Sequence, residues 1–231
     1  VLARLLMVNG LGELDQTNAD AIMQWLSANG ALYWTYTIMR MIGRVAFPIF
    51  CFLLVEGFLH THDVKKYAMR LGLFALLSEI PFDLAFSSKI LEFNYQNVFF
   101  TLFIGLLTMI AYRAVEEKEE WNQALKVILY ILIVAAGMAL AYFLKTDYAE
   151  KGVFCIMVLY IFRKKKMWQI IAGCASFIWE TPALFGFIPI AFYNGTRGWK
   201  MKYFFYIFYP AHLLILYLLC YFMGISGYSA V

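Results

Sequence analysis

Apolar runs of about twenty residues recur along this chain, and that is the length an α-helix needs to cross a bilayer. Leu125 to Leu144 is one of them, and Tyr203 to Met223 is another. The composition agrees: 63% of the 231 residues are hydrophobic, 15% are charged, and the mean hydropathy is +0.70. A soluble core cannot absorb such an excess. The composition therefore excludes an ordinary soluble enzyme, a disordered chain and a nucleic-acid-binding domain. It predicts an all-α, polytopic integral membrane bundle with no nucleic-acid partner.

About eight spans are expected, some of them short. Residues 1–8 read as the end of a first helix that begins upstream, and 10–30 as an outer polar segment. Within that segment, Asp15 to Ala28 is expected to form a short helix on the membrane surface, with Trp25 at the interface. The predicted spans are Tyr33–Leu59, Lys66–Phe86, Asn97–Ala114, Leu125–Leu144, the shorter Tyr148–Phe162, Trp168–Trp179 and Ala183–Tyr193, and the final Tyr203–Met223. The alternative joins Trp168 to Tyr193 into one span kinked at Pro182. Splitting is preferred because it puts Arg163, Lys164, Lys165 and Lys166 on the same side as Arg197, Lys200 and Lys202. Lys65, Lys66, Arg113, Lys118 and Lys126 join them, against Lys89, Lys145 and Lys151 opposite. The cytoplasmic side is then the basic one. Residues 1–231 are treated as a single transmembrane domain.

Cys51, Cys155, Cys174 and Cys220 sit singly in apolar runs and read as small buried hydrophobes, so no metal is expected. Glu116, Glu117, Glu119 and Glu120 read as a solvated turn.

Ionisable groups inside spans are costly and carry more information. Arg40 and Arg44 share one helix face, as do Glu79 and Asp83 on the next helix. Counting depth at about 1.5 Å per residue pairs Arg44 with Glu79, Arg40 with Asp83, and Glu56 with Arg70. Two readings stand: three structural ion pairs, or a polar cavity that handles a substrate. His212, beside Pro210 in the last span, is suited to exchanging a proton near neutral pH. Lys65, Lys66 and Arg70 lie where a span leaves the cytoplasm, either as anchoring charges or as a phosphate grip.

Several segments together resemble the TraX family, which includes the pilin N-acetylase of conjugative systems. They are the run from Arg40 to Phe50, Leu53 to Phe58 with Glu56-Gly57-Phe58, Lys65-Lys66-Tyr67, and Ser78-Glu79-Ile80-Pro81-Phe82-Asp83. Asn97 to Leu102, Asp147-Tyr148, Tyr193-Asn194-Gly195 and Phe208-Tyr209-Pro210-Ala211-His212 continue the match in order. The resemblance implies an integral-membrane acyltransferase of bacterial inner-membrane type, multi-pass, using acetyl-CoA as donor. The acceptor implied is an amine or hydroxyl of pilin or another envelope molecule.

By that resemblance, Lys65, Lys66, Arg70 and Glu56 would hold CoA. His212, Glu79 or Asp83 would take the acceptor's proton, and Arg44 or Arg40 would stabilise the oxyanion. Asn97 and Thr101 would orient the acceptor or glue helices together. The family's Asp-His pair in the first helix has no counterpart among these residues. The rival reading is a transporter, or a non-catalytic membrane partner in pilus or envelope assembly.

Overall fold

The computed structural model describes residues 1–14, 17–196 and 202–225. The basic residues Arg197 and Lys200, Asp15, and the side chain of Lys202 lie outside what it describes. Ten α-helices follow in order among the described residues: α1 Leu2–Val8, α2 Ala19–Arg44, α3 Ala46–His60, α4 Val64–Ser87, α5 Val98–Glu116, α6 Gln123–Phe143, α7 Ala149–Ile161, α8 Lys166–Ser176, α9 Phe187–Phe192 and α10 Lys202–Phe222. Short 3₁₀ turns occupy Leu11–Glu13 and Thr181–Gly186. The one pairing of extended backbone among the described residues is an isolated bridge between Gln96 and Thr146.

Several predicted boundaries hold to within a few residues because polar caps mark them. Asn97 caps α5 by accepting the Phe99 N–H, and Asn122 caps α6 by accepting the Ala124 N–H. The split at Glu180-Thr181-Pro182 also holds: α8 and α9 are separate helices.

Two expectations are corrected. No break separates a surface helix ending at Ala28 from a span beginning at Tyr33, because α2 runs through Gly30 to Arg44. A lone glycine costs a helix only about 1 kcal/mol, too little to stop it. The break comes instead at Val45, so the predicted span Tyr33–Leu59 is divided between α2 and α3. Pro48 explains the position. It lacks the N–H that a continuous helix would aim at the Arg44 carbonyl, and its ring would clash with that carbonyl.

Four helical stretches are long and apolar enough to cross a membrane: one within the run Ala19–His60, then α5, α6 and Phe204–Phe222 of α10. The most apolar windows of α6 and α10 are only 11% buried. Ile131, Leu132 and Phe143 of α6, with Ile215 and Phe222 of α10, are exposed. Faces this apolar on helices of spanning length suit a lipid surround, where helices satisfy their own backbone groups. The protein is a membrane protein.

The chain forms two compact bodies. The first comprises residues 1–43, 77–92 and 200–231; the second comprises 44–76 and 93–199.

In the second body, α3, α5 and α7 are the enclosed helices. Cys51, Val55, Phe58, Val153, Ile156, Leu159 and Tyr160 are all but inaccessible. Close approach depends on small residues. A Cβ on Gly137 of α6 would strike Thr108 of α5, and one on Gly152 of α7 would strike Thr101.

In the first body, Arg4 is fully buried. Its Nη2 donates to the carbonyls of Leu84 and Ala85 at 3.1 and 2.8 Å and to Ser88 Oγ at 2.9 Å. These are last-turn carbonyls of α4, which a helix leaves unsatisfied, and the cation suits the negative helix end. Arg4→Met removes that cap. It is expected to destabilise the protein by about 2–4 kcal/mol, since hydrogen bonds to charged groups contribute roughly 1.5–3 kcal/mol each. Thermal unfolding in detergent measures it, and an unchanged Tm contradicts the capping role.

Candidate functional site

The starts of α3, α5 and α7 lie at one end of the second body. The loop before α7 joins them. Gln96 pairs with two of its residues through the backbone, donating its N–H to Lys145 O at 3.0 Å and accepting the Asp147 N–H at 2.9 Å. Lys145, Tyr148 and Ala149 all have positive φ, at 52, 63 and 40°. Such backbone costs of order 1–3 kcal/mol per residue and persists only where surroundings enforce it. Here Thr101 Oγ1 reaches Thr146 Oγ1 at 3.0 Å and also the Asp147 carbonyl. Lys145 Nζ donates to Asn94 Oδ1 at 3.0 Å. The result fixes Tyr148 with its ring stacked on Phe47, centroids 3.6 Å apart.

Arg44 meets this loop. Its Nη1 donates to Tyr148 Oη at 3.2 Å and lies 3.6 Å from Glu180 Oε2. The side chains of Arg44 and Glu180 keep about a quarter of their surface open, at 27% and 22%. Tyr95 Oη donates to Asp147 Oδ1 at 2.6 Å. Lys151 sits over the Trp179 ring, 5.0 Å from its centroid. A guanidinium beside a phenol and a carboxylate can stabilise a developing oxyanion and hold a cationic amine.

Burial pushes the Asp147 carboxyl above the usual carboxylate range, against the opposing pull of the Tyr95 hydrogen bond and the nearby Arg44. The folded state therefore favours the protonated form. The stability this contributes is complete below the unfolded carboxylate value of about 4 and is lost as pH rises through the raised one. Asp147→Asn should flatten the dependence of Tm on pH across that window. A slope equal to the parent's contradicts the assignment.

The opposite end of this body gathers its basic residues. Tyr67 packs on Gly57, so close that a Cβ there would lie 2.9 Å from the hydroxyl. That brings the Lys65-Lys66-Tyr67 segment against Glu56-Gly57-Phe58. Asp63 opens α4 by accepting the Lys66 N–H at 2.9 Å and pairing with Lys66 Nζ at 3.1 Å. Those two Lys66 contacts hold the Asp63 carboxyl below its ordinary range. Lys65 is exposed, and Arg70 is half-buried with an Nε that has no hydrogen-bond partner among the described residues. Arg163 grips Glu116 through two bonds of 3.0 and 2.8 Å, and Tyr160 Oη donates to the same carboxylate at 3.0 Å. Glu116 is thus a tie between α5 and α7, which corrects its reading as part of a solvated turn. Only contact across the bundle, absent from local sequence, reveals it.

Neither Arg40 with Asp83 nor Glu56 with Arg70 forms the depth-matched ion pair. Arg44 pairs with Glu180. Glu56 hydrogen-bonds with Tyr193 and lies 3.8 Å from His60 Nδ1, with no ion pair to Arg70. In the first body, Arg40 donates to Tyr36 Oη at 2.7 Å, while Asp83 Oδ2 accepts the Glu92 N–H at 2.8 Å. Depth counting compares only neighbouring spans, whereas the real partners lie on the same helix, in loops or at the turn around Glu180.

The remaining predicted residues are placed as follows. Asp83 is buried and Glu79, one turn earlier on α4, is half-buried. Arg40 and Tyr36 line a cavity of about 190 Å³ with Phe86, Leu213 and Tyr217. His212 is half-buried on α10, stacked on Phe208, with Nδ1 2.9 Å from the Phe208 carbonyl. A carbonyl only accepts, so the neutral ring carries its proton on Nδ1 and leaves the Nε2 lone pair free. Asn97 and Thr101 are fully buried. Asn97 Nδ2 donates to the Ala75 carbonyl at 2.8 Å while its oxygen caps α5, so both residues serve as structural ties.

Arg40, Glu79, Asp83 and His212 belong to the first body. Arg44, Glu56, Lys65, Lys66, Arg70, Asn97 and Thr101 belong to the second. Tyr95, Asp147, Tyr148 and Glu180 are site residues that the charge pattern within the spans does not reveal. The Asp147-Tyr148 pair was the one available signal.

These features define a helical membrane protein with ionisable side chains held at both ends of an apolar bundle. The chain matches the family model described as TraX protein over residues 20–220, and it belongs to the TraX family. It is also 27% identical over 208 residues to the probable fimbrial assembly protein FimC, serogroup H1, of Dichelobacter nodosus, covering 79% of this chain and 83% of that protein. No solved structure matches the chain.

Proposed function

We propose that the protein is a multi-pass acyltransferase of the bacterial inner membrane that moves an acetyl group from cytoplasmic acetyl-CoA to an amine or hydroxyl. The observation that carries this reading is family membership over residues 20–220. The cationic start of α4 against Gly57 supports it, because phosphates of CoA need such a grip. Lys65, Lys66 and Arg70 bind those phosphates, and Glu56 borders them. The relative's role in fimbrial assembly points to a pilus subunit, or another envelope molecule, as acceptor.

The acceptor nitrogen or oxygen attacks the thioester carbonyl and must lose a proton. The Nε2 lone pair of His212 suits that task, with Glu79 and Asp83 as the other acidic candidates. Arg44 or Arg40 would stabilise the charge that develops on the carbonyl oxygen. The CoA thiolate leaves and takes up the proton.

Binding tests this reading. The protein in nanodiscs should bind acetyl-CoA saturably, with free CoA competing. The absence of binding, together with solute flux in liposomes, would favour the transporter instead.

A further inference from the structure

The basic run Arg163-Lys164-Lys165-Lys166 divides by contact. Arg163 is committed to Glu116 and to the Tyr160 carbonyl at 2.9 Å. Lys166 is committed to the Tyr193 carbonyl. Lys164 and Lys165 are exposed and have no ion-pair partner among the described residues. They line a cavity of about 430 Å³ with Ile161, Phe162 and Trp168. No carboxylate lines it. Trp168 and Phe162 leave 55% and 40% of their surface open.

The end of α7 does not require these lysines. The Val158 carbonyl is taken by the Phe162 N–H, the Tyr160 carbonyl by the Arg163 N–H and guanidinium, and the Phe162 carbonyl by the Lys165 N–H. Two uncommitted ammonium groups therefore flank a cavity with an aromatic and aliphatic wall.

We propose that this cavity binds the phosphate of an amphiphilic or aromatic ligand. The ammonium groups of Lys164 and Lys165 grip the phosphate oxygens, and Trp168 and Phe162 cover the ligand's apolar part. Two sources carry this chemistry: the headgroup of an anionic phospholipid, and the phosphates of a nucleotide. Neither Lys65 nor Lys66 lines the cavity, and the proposal does not depend on acyl transfer.

The test uses the full chain. Native mass spectrometry counts phosphatidylglycerol bound against phosphatidylcholine, and titration with adenosine 3′,5′-bisphosphate follows tryptophan fluorescence. Lys164→Gln with Lys165→Gln should weaken one of these ligands by about tenfold or more, and added salt should weaken it further. Lys164→Arg with Lys165→Arg should retain it, and Trp168→Leu should weaken it without altering its salt dependence. Loss confined to phosphatidylglycerol identifies a lipid headgroup; loss confined to the bisphosphate identifies a nucleotide. If neither ligand responds to the neutralised pair while the protein remains folded, the proposal is overturned. Lys65→Gln with Lys66→Gln, assayed in parallel, separates this outcome from failure of the CoA reading.

Discussion

If the proposed acyl transfer runs through His212, His212→Asn is expected to lower it by about 10²–10⁴-fold, the usual contribution of a positioned general base, and to leave the fold unchanged. The geometry sets up this separation. Nδ1 of His212 already spends its proton on the Phe208 carbonyl, 2.9 Å away and one turn back on α10. An asparagine amide can donate to that same carbonyl, so the local bond survives. What disappears is the Nε2 lone pair. His212→Gln offers an amide nearer to Nε2 but no base, and it should be equally inactive. Circular dichroism and Tm report folding; initial rates report the chemistry. Near-parental activity in His212→Asn removes His212 from the proton path and leaves Glu79 and Asp83 as the carboxylates to examine.

On the proposed CoA-binding role, neutralising Lys65, Lys66 and Arg70 together to Gln is expected to raise KM for acetyl-CoA by about a hundredfold and to change kcat little. Hydrogen bonds to charged groups contribute roughly 1.5–3 kcal/mol each. Lys65 and Lys66 are exposed, so solvent and salt reduce their share. A combined loss near 3 kcal/mol corresponds to about a hundredfold in affinity. Asp63 already pairs with Lys66, so Asp63→Asn should act oppositely and tighten binding. The measurement is KM as a function of ionic strength. A parental KM in the triple variant means that these residues only anchor the helix at the membrane surface.

Much of the helical frame is legible in the sequence. Asn97 and Asn122 announce their helices because a side-chain acceptor before an apolar run satisfies free N–H groups. The division at Glu180 follows from charge sidedness alone. In the second body the structure gathers Lys65, Lys66, Arg113 and Arg163 to Lys166 at one end, away from Lys145 and Lys151 near the start of α7. These described residues are grouped as the charge reading groups them.

Other features are illegible for a physical reason. Pro48 does announce the break at Val45, but its effect falls one turn upstream, inside what hydropathy reads as a single span. Arg4 caps α4 across some eighty residues of chain. Arg44 finds Glu180 and Tyr148, which become neighbours only when a loop adopts left-handed backbone at Tyr148. Helical periodicity carries no information about such a loop.

The most direct test of acyl transfer itself supplies radiolabelled acetyl-CoA and a pilus subunit to the full-length protein in nanodiscs. Acyl transfer requires that label appear on an amine or hydroxyl of the subunit, with one CoA thiol released per acetyl transferred, and that His212→Asn abolish both. Unconsumed acetyl-CoA and an unlabelled subunit, from protein that is folded and binds lipid normally, would contradict it.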